Sequence, residues 1–167
     1  LVGSEMCIRD SYFSGYTSYK GRELYVSDGT SSGTSMLGDF MSGGDSSIYS
    51  HTASIISTGS HVIYVGLDTT ASNSRSLWVS DGTTSGTHII SPLYTKGDPE
   101  LDTGFLLDGS QVYFAAKNVY GEKLLWTSNG TKNGTMLVGE HRDFLDVDSI
   151  YMMTDSNGND ILLFTAE

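Results

Sequence analysis

The side chains of this 167-residue chain with the clearest capacity for chemistry are carboxylates set beside glycines and hydroxyls. Asp28 and Asp81 open the phrases DGTSSGT and DGTTSGT, and Asn129 opens NGTKNGT. A carboxylate in that setting has two uses. It can ligate a hard cation or move a proton, or it can accept backbone N–H bonds two residues on and close an Asx-turn at a strand end. Asn129 favours the second use, because an amide keeps the acceptor oxygen while losing charge and basicity. The phrase is therefore expected to be a structural turn. Gly29, Gly82 and Gly130 would supply backbone freedom, including positive φ, with Gly33, Gly86 and Gly134 doing so again before the next strand. Thr30, Thr83 and Thr131 belong to the same turn, and the hydroxyls of Thr34, Thr87 and Thr135 can satisfy its leftover polar groups.

The remaining candidates for chemistry are two acidic groups, Asp98, Glu100 and Asp102, and Asp143, Asp146 and Asp148. Clustered carboxylates suit Ca²⁺, although solvated loops explain them as well and no cofactor is required. The run DSNGND, residues 155–160, loosely resembles a calcium loop but is positioned as a hairpin turn around Asn-Gly. His51, His61, His88 and His141 show no ligand spacing. Arg22, Arg75 and Lys123 fall at equivalent places in a repeat and read as solvated strand ends. Nothing in the set supplies a nucleophile with its base, so no catalytic residue is assigned.

The elements that position these residues follow from self-similarity. SDGTSSGT, SDGTTSGT and SNGTKNGT begin at residues 27, 80 and 128, at offsets of 53 and 48, and Gly59, Gly109 and Gly158 give an independent spacing of 50 and 49. Each phrase follows a leucine and a large aromatic: Leu24 and Tyr25, Leu77 and Trp78, Leu125 and Trp126. Short apolar runs follow it, and STGSHVIYV, LDGSQVYFA and SNGNDILLF lie earlier in the units. Runs such as VIYV and LLW are apolar at consecutive positions, which predicts strands covered on both faces. A period near fifty with paired hairpin turns predicts four-stranded antiparallel blades. The spacing gives strands near 52–58, 61–68, 75–81 and 87–93 in one complete unit, and near 101–108, 111–118, 123–129 and 135–141 in the next. Incomplete units cover about 11–40 and 148–167.

Nine basic against twenty acidic residues give a net charge of −11. With the basic residues scattered singly, no phosphate-tracking surface forms and nucleic acid is not an expected partner. No segment is long and apolar enough for a membrane-spanning helix. Residues 1–10, LVGSEMCIRD, resemble a translated sequencing adaptor and are expected to be non-native. They hold the single cysteine, Cys7, so the rest of the chain offers no thiol or disulfide chemistry.

The units resemble the bacterial ELWxxDGT repeat, which appears here as ELYVSDGT at residues 23–30. The resemblance covers nearly all of residues 11–167. Tyr25 stands for tryptophan, Ser76 and Leu124 stand where glutamate is expected, and Asn129 stands for aspartate. The resemblance implies an all-β fold, a fragment of one β-propeller with two complete blades flanked by two incomplete ones. It implies a secreted or cell-surface bacterial protein in which the segment is a non-catalytic binding, adhesion or scaffold surface. Its partners would be the remaining blades and an unknown protein or glycan ligand. The alternative expectation, from a superficial likeness to the Asp-box turn of sialidase-like proteins, is a sialidase- or lyase-like glycan-processing enzyme whose catalytic residues lie outside this segment.

Overall fold

The computed structural model of the chain describes residues 11–41, 47–48, 55–68, 74–91, 104–117, 120, 122–139 and 146–166. Among the described residues the fold is all-β, without helix, and every strand pairing is antiparallel. Strands β1 (Ser11–Thr17), β2 (Gly21–Ser27) and β3 (Ser35–Met36) form a three-stranded sheet. A four-stranded sheet follows, with β4 (Ile55–Ser57), β5 (Val62–Asp68), β6 (Ser74–Ser80) and β7 (His88–Ser91). The second four-stranded sheet contains β8 (Leu106–Asp108), β9 (Gln111–Lys117), β10 (Lys123–Ser128) and β11 (Met136–Leu137), and β12 (Ser149–Thr154) pairs with β13 (Asp160–Thr165). Within each sheet the strands follow chain order, so every sheet is a meander built from hairpins.

Cross-strand register shows why the leucine and aromatic repeat. Tyr64 lies opposite Trp78, and Val65 opposite Leu77. Successive side chains point to opposite faces of a strand, so each unit sends its leucine to one face and its aromatic to the other. Three hydrophobic clusters join the sheets in sequence. Leu24 and Leu37 of the first sheet pack with Tyr64 and Trp78 of the second. Ile63, Leu77 and Val79 of the second pack with Val112, Phe114 and Ala116 of the third. Ala115 and Leu125 of the third pack with Ile150, Leu162 and Phe164 of the fourth. The two middle sheets are thus covered on both faces, which is the physical origin of their continuous apolar runs.

Connecting segments are tied down by backbone bonds between sheets. Ile48 N–H donates to Arg22 O at 3.2 Å, and Leu67 N–H donates to Ser47 O at 2.7 Å, so the Ser47–Ile48 pair bridges β2 and β5. Val147 N–H donates to Lys123 O at 2.9 Å, and Asp148 N–H to Thr165 O at 3.0 Å, joining β10 to β13. Ile48 and Val147 are themselves fully buried. The connectors therefore fix how far one sheet sits from the next.

The last hairpin departs from the other two. Thr58 N–H donates to His61 O across a two-residue loop, whereas Asp155 N–H donates to Asn159 O across Ser156, Asn157 and Gly158. Gly158 has φ 86°, as the closing residue of a three-residue hairpin loop requires. Both hairpins nevertheless turn a comparable pair toward the preceding sheet: Ile55 faces Tyr64, and Ile150 faces Phe164.

Candidate functional site

The three Asx-Gly turns have the same hydrogen-bond plan. In the first, Asp28 Oδ1 accepts Thr30 N–H at 2.8 Å and the Thr30 hydroxyl at 2.7 Å. Thr30 Oγ1 accepts Gly33 N–H at 2.9 Å, and the Thr34 hydroxyl donates to Thr30 O at 2.6 Å. In the second, Asp81 Oδ1 takes Thr83 N–H at 2.9 Å and its hydroxyl at 2.7 Å, while Gly86 N–H and the Thr87 hydroxyl repeat the remaining bonds at 3.0 and 2.7 Å. The third uses Asn129 Oδ1 for Thr131 N–H at 3.1 Å and its hydroxyl at 2.7 Å, with Gly134 N–H and the Thr135 hydroxyl at 3.0 and 2.8 Å. One oxygen on the first side chain is enough to hold the turn.

The two glycines of the phrase serve different needs. Gly29, Gly82 and Gly130 have φ of 87°, 88° and 84°, the left-handed region in which a Cβ is disfavoured. Positive φ is not the reason for Gly33, Gly86 and Gly134, which corrects the expectation for this trio. A Cβ at each would collide with the side chain of Asp28, Asp81 or Asn129, respectively. The turn folds its Asx side chain inward over this second glycine, and that close approach is what places Oδ1 on Thr30, Thr83 or Thr131.

Serine at the start of each phrase was not singled out by sequence reasoning. Ser27, Ser80 and Ser128 accept the N–H of Gly29, Gly82 and Gly130 at 3.1, 3.1 and 3.2 Å. Their hydroxyls also bond those of Thr34, Thr87 and Thr135 at 2.6, 2.8 and 2.8 Å. The signal was present in the sequence as the first letter common to all three phrases. It ties the end of one strand to the start of the next and completes the turn.

Electrostatics agree with this consumption of polar capacity. Hydrogen bonds from the Thr30 side chain and backbone hold the Asp28 carboxyl below the usual aspartate range, and Thr83 does the same to Asp81. Asp155 is lowered chiefly by Asn159, whose side-chain amide donates to Oδ2 at 3.0 Å and whose backbone N–H donates to Oδ1 at 2.8 Å. A low, hydrogen-bonded carboxylate is a poor proton donor at neutral pH.

Glu23 has a different environment. It is fully buried, and burial pushes its carboxyl up despite hydrogen bonds that pull it down. Ser47 N–H donates to Oε1 at 3.2 Å, and the Ser47 hydroxyl donates to Oε2. Glu23 therefore clamps the connector that leads into the second sheet. Burial, and secondarily the Glu23 charge, raise the Tyr64 hydroxyl as well. The equivalent positions carry Ser76 and Leu124, both buried, so this clamp belongs to one unit alone among the described residues.

The acidic connection residues do not assemble into a cation site. Asp98, Glu100, Asp102 and Asp143 lie outside the described residues. Asp146 and Asp148 are exposed, and Asp146, at φ 51°, offers Oδ1 to Lys123 N–H at 3.5 Å. Among the described residues there is no group of three or more His, Cys, Asp or Glu placed to hold a metal ion. His61 is exposed and its Nδ1 bonds Ser60 Oγ at 3.0 Å, and His88 is exposed; His51 and His141 fall outside the described residues. Lys123 corrects the expectation of solvated strand ends, since it is only 8% exposed. Its backbone carries the Val147 connector, which draws the residue inward. Arg22 is half-buried, and its Nη1 donates to Ser14 Oγ at 2.9 Å.

Leu24, Leu77, Trp78 and Leu125 are buried, while Tyr25 and Trp126 are half-buried, so the repeat's hydrophobic pair supplies packing between sheets. Phe13 stacks on Tyr25 with ring centroids 5.5 Å apart, and Tyr64 stacks on Trp78 at 5.9 Å. No described helix is long and apolar enough to cross a membrane. No family model, curated protein or solved structure matches this chain.

Proposed function

We propose that the chain is an arc of blades from an ELWxxDGT-type β-propeller and acts as a non-catalytic binding or scaffold surface of a larger secreted or cell-surface bacterial protein. The observation that carries this reading is the hydrogen-bond plan shared by Asp28, Asp81 and Asn129. A side chain whose acid function can be replaced by an amide within the same chain is used for geometry. Sequential stacking of meander sheets through equivalent faces supports the propeller geometry. Exposed Tyr19, between β1 and β2, and exposed Tyr120, between β9 and β10, provide amphipathic aromatic surface for a protein or glycan ligand.

The test is binding of the immobilised full chain to a glycan array and to extracellular proteins, run beside hydrolysis assays on sialoside and uronide substrates. Saturable binding that weakens in Tyr19→Ala or Tyr120→Ala, without turnover, is the expected result. Turnover lost in Asp28→Asn, Asp81→Asn or Glu23→Gln would assign the carboxylates a catalytic part and overturn the reading.

A further inference from the structure

Three Asn-Gly pairs lie in turns: Asn129-Gly130 and Asn133-Gly134 in the third Asx-Gly turn, and Asn157-Gly158 in the last hairpin. Such a pair can react with itself. Once the glycine N–H has lost its proton to hydroxide, the nitrogen attacks the asparagine Cγ. The new Cγ–N bond forms, the bond from Cγ to Nδ2 breaks, and the amide nitrogen leaves as ammonia. Water then opens the succinimide at either of its two carbonyls, giving aspartate or, with the main chain rerouted through the side chain, isoaspartate. Glycine favours the attack because no Cβ screens its nitrogen. By residue type the three pairs are equal, so their surroundings must separate them.

The reaction needs an amide free to swing toward the next nitrogen, and a nitrogen free to give up its hydrogen bond. Asn129 has neither. Its Oδ1 accepts the Thr131 N–H at 3.1 Å and the Thr131 hydroxyl at 2.7 Å, and its side chain lies against Gly134. Gly130 is buried and donates its N–H to Ser128 Oγ at 3.2 Å. Asn157 is exposed, but its amide contributes to the hydrogen bonding that lowers the Asp155 carboxyl, and Gly158 N–H donates to Asp155 O at 3.0 Å. The Asp155 charge beside this pair also opposes formation of the attacking nitrogen anion.

Asn133 differs in each respect. It is exposed, and its side-chain amide has no hydrogen-bond partner among the described residues. With Gly134 it occupies the centre of a turn closed by a long bond, Thr135 N–H to Lys132 O at 3.4 Å. Gly134 N–H is held by Thr131 Oγ1 at 3.0 Å, and the preceding Lys132 brings positive charge that favours the nitrogen anion. The third sheet packs against a neighbour on each side, so this exposure belongs to the stack itself. Ser32 and Ser85 hold the equivalent place in the other turns.

From these contrasts we infer that Asn133 is a spontaneous modification site, converted through a succinimide with Gly134 to aspartate and isoaspartate, while Asn129 is locked against the same reaction. The isoaspartyl form adds a methylene to the main chain beside Gly134. It thereby draws Gly134 N–H off Thr131 and loosens the turn between β10 and β11. The site does not depend on what the surface binds.

Ageing the full chain in mildly alkaline buffer, native and in concentrated urea, tests the inference. Tryptic peptides, separated by cleavage after Lys132, are read by mass spectrometry for amide-to-acid conversion and by enzymatic isoaspartyl methylation for the rearranged product. In the native chain Asn133 should convert at least about tenfold faster than Asn129, the factor expected from opening the two bonds on Asn129 Oδ1, and faster than Asn157. In urea the three rates should converge. Asn133→Ser should remove the fast conversion with unchanged far-UV circular dichroism, and Asn129→Asp should leave it in place. Equal native rates at the three pairs, a native chain in which Asn129 or Asn157 converts first, or an Asn133 that stays intact in the native chain while urea converts it would each overturn the inference.

Discussion

Asn129 Oδ1 accepts the Thr131 hydroxyl at 2.7 Å, the same length as the bond from Thr83 to Asp81. Charge is therefore not needed to form the turn. Asp81→Asn is expected to keep the melting temperature close to that of the parent chain, while Asp81→Ala should lower it clearly by leaving the Thr83 N–H and hydroxyl without their acceptor. Thermal denaturation of the two variants in parallel checks this, and equal losses would show that the carboxylate charge itself matters.

Gly86 lies under the Asp81 side chain, where a Cβ has no room. Gly86→Ala should destabilise by about 1–3 kcal/mol, the usual cost of forcing atoms into a packed site. In an Asp81→Ala background the same change should cost much less, because the obstruction is gone. A double-mutant cycle by urea denaturation measures the difference, and strictly additive losses would contradict the steric account.

Phe114 is fully buried between the second and third sheets and meets Phe105 edge-on at 5.6 Å. Phe114→Ala should cost about 3–5 kcal/mol through lost burial and the cavity left behind. Leu163→Ala, on the uncovered face of the last sheet, should be close to neutral for a dilute monomer. Chemical denaturation at low protein concentration compares them, and similar losses would place the packing elsewhere.

Stability should depend on pH through two opposed groups. Glu23 is raised above the ordinary glutamate value of 4.5, so between that value and its folded one the native chain holds a proton that the unfolded chain releases. Stability from this group is present below 4.5 and is lost as pH climbs through the folded value. Asp28, Asp81 and Asp155 are lowered from 3.8, so their stabilisation is present above 3.8 and is lost as pH falls through their folded values. Glu23→Gln should flatten the upper slope, and Asp28→Asn with Asp81→Asn should reduce the lower one. Urea midpoints measured across pH 2–7 read both limbs.

Much of the architecture was legible because the repeat is local. The leucine and aromatic pair, the Asx-Gly turn and the hairpin glycines each act within a few residues, so spacing alone located the strands. Relations that span sheets were not legible. Glu23 holds Ser47 across 24 residues of sequence, and neither side chain carries a local mark of that partnership. Lys123 looked solvated by type, but the connector through Val147 closes over its strand. In the last hairpin the repeat spacing marks Gly158, whereas the packing follows Phe164, because a third loop residue shifts the glycine relative to the strand. Glycine's usual use is positive φ, but at Gly33, Gly86 and Gly134 it is the folded-over Asx side chain that excludes a Cβ.

The most direct test of the turns as geometry and not as cation ligands is the melting temperature of the full chain and of its Asp28→Asn, Asp81→Asn double variant, each with and without millimolar Ca²⁺. A ligand bound only by the folded state raises the melting temperature. The account predicts no Ca²⁺-dependent rise in either chain through these turns, and so the same Ca²⁺ response in both. A rise in the parent chain that disappears in the double variant would contradict it.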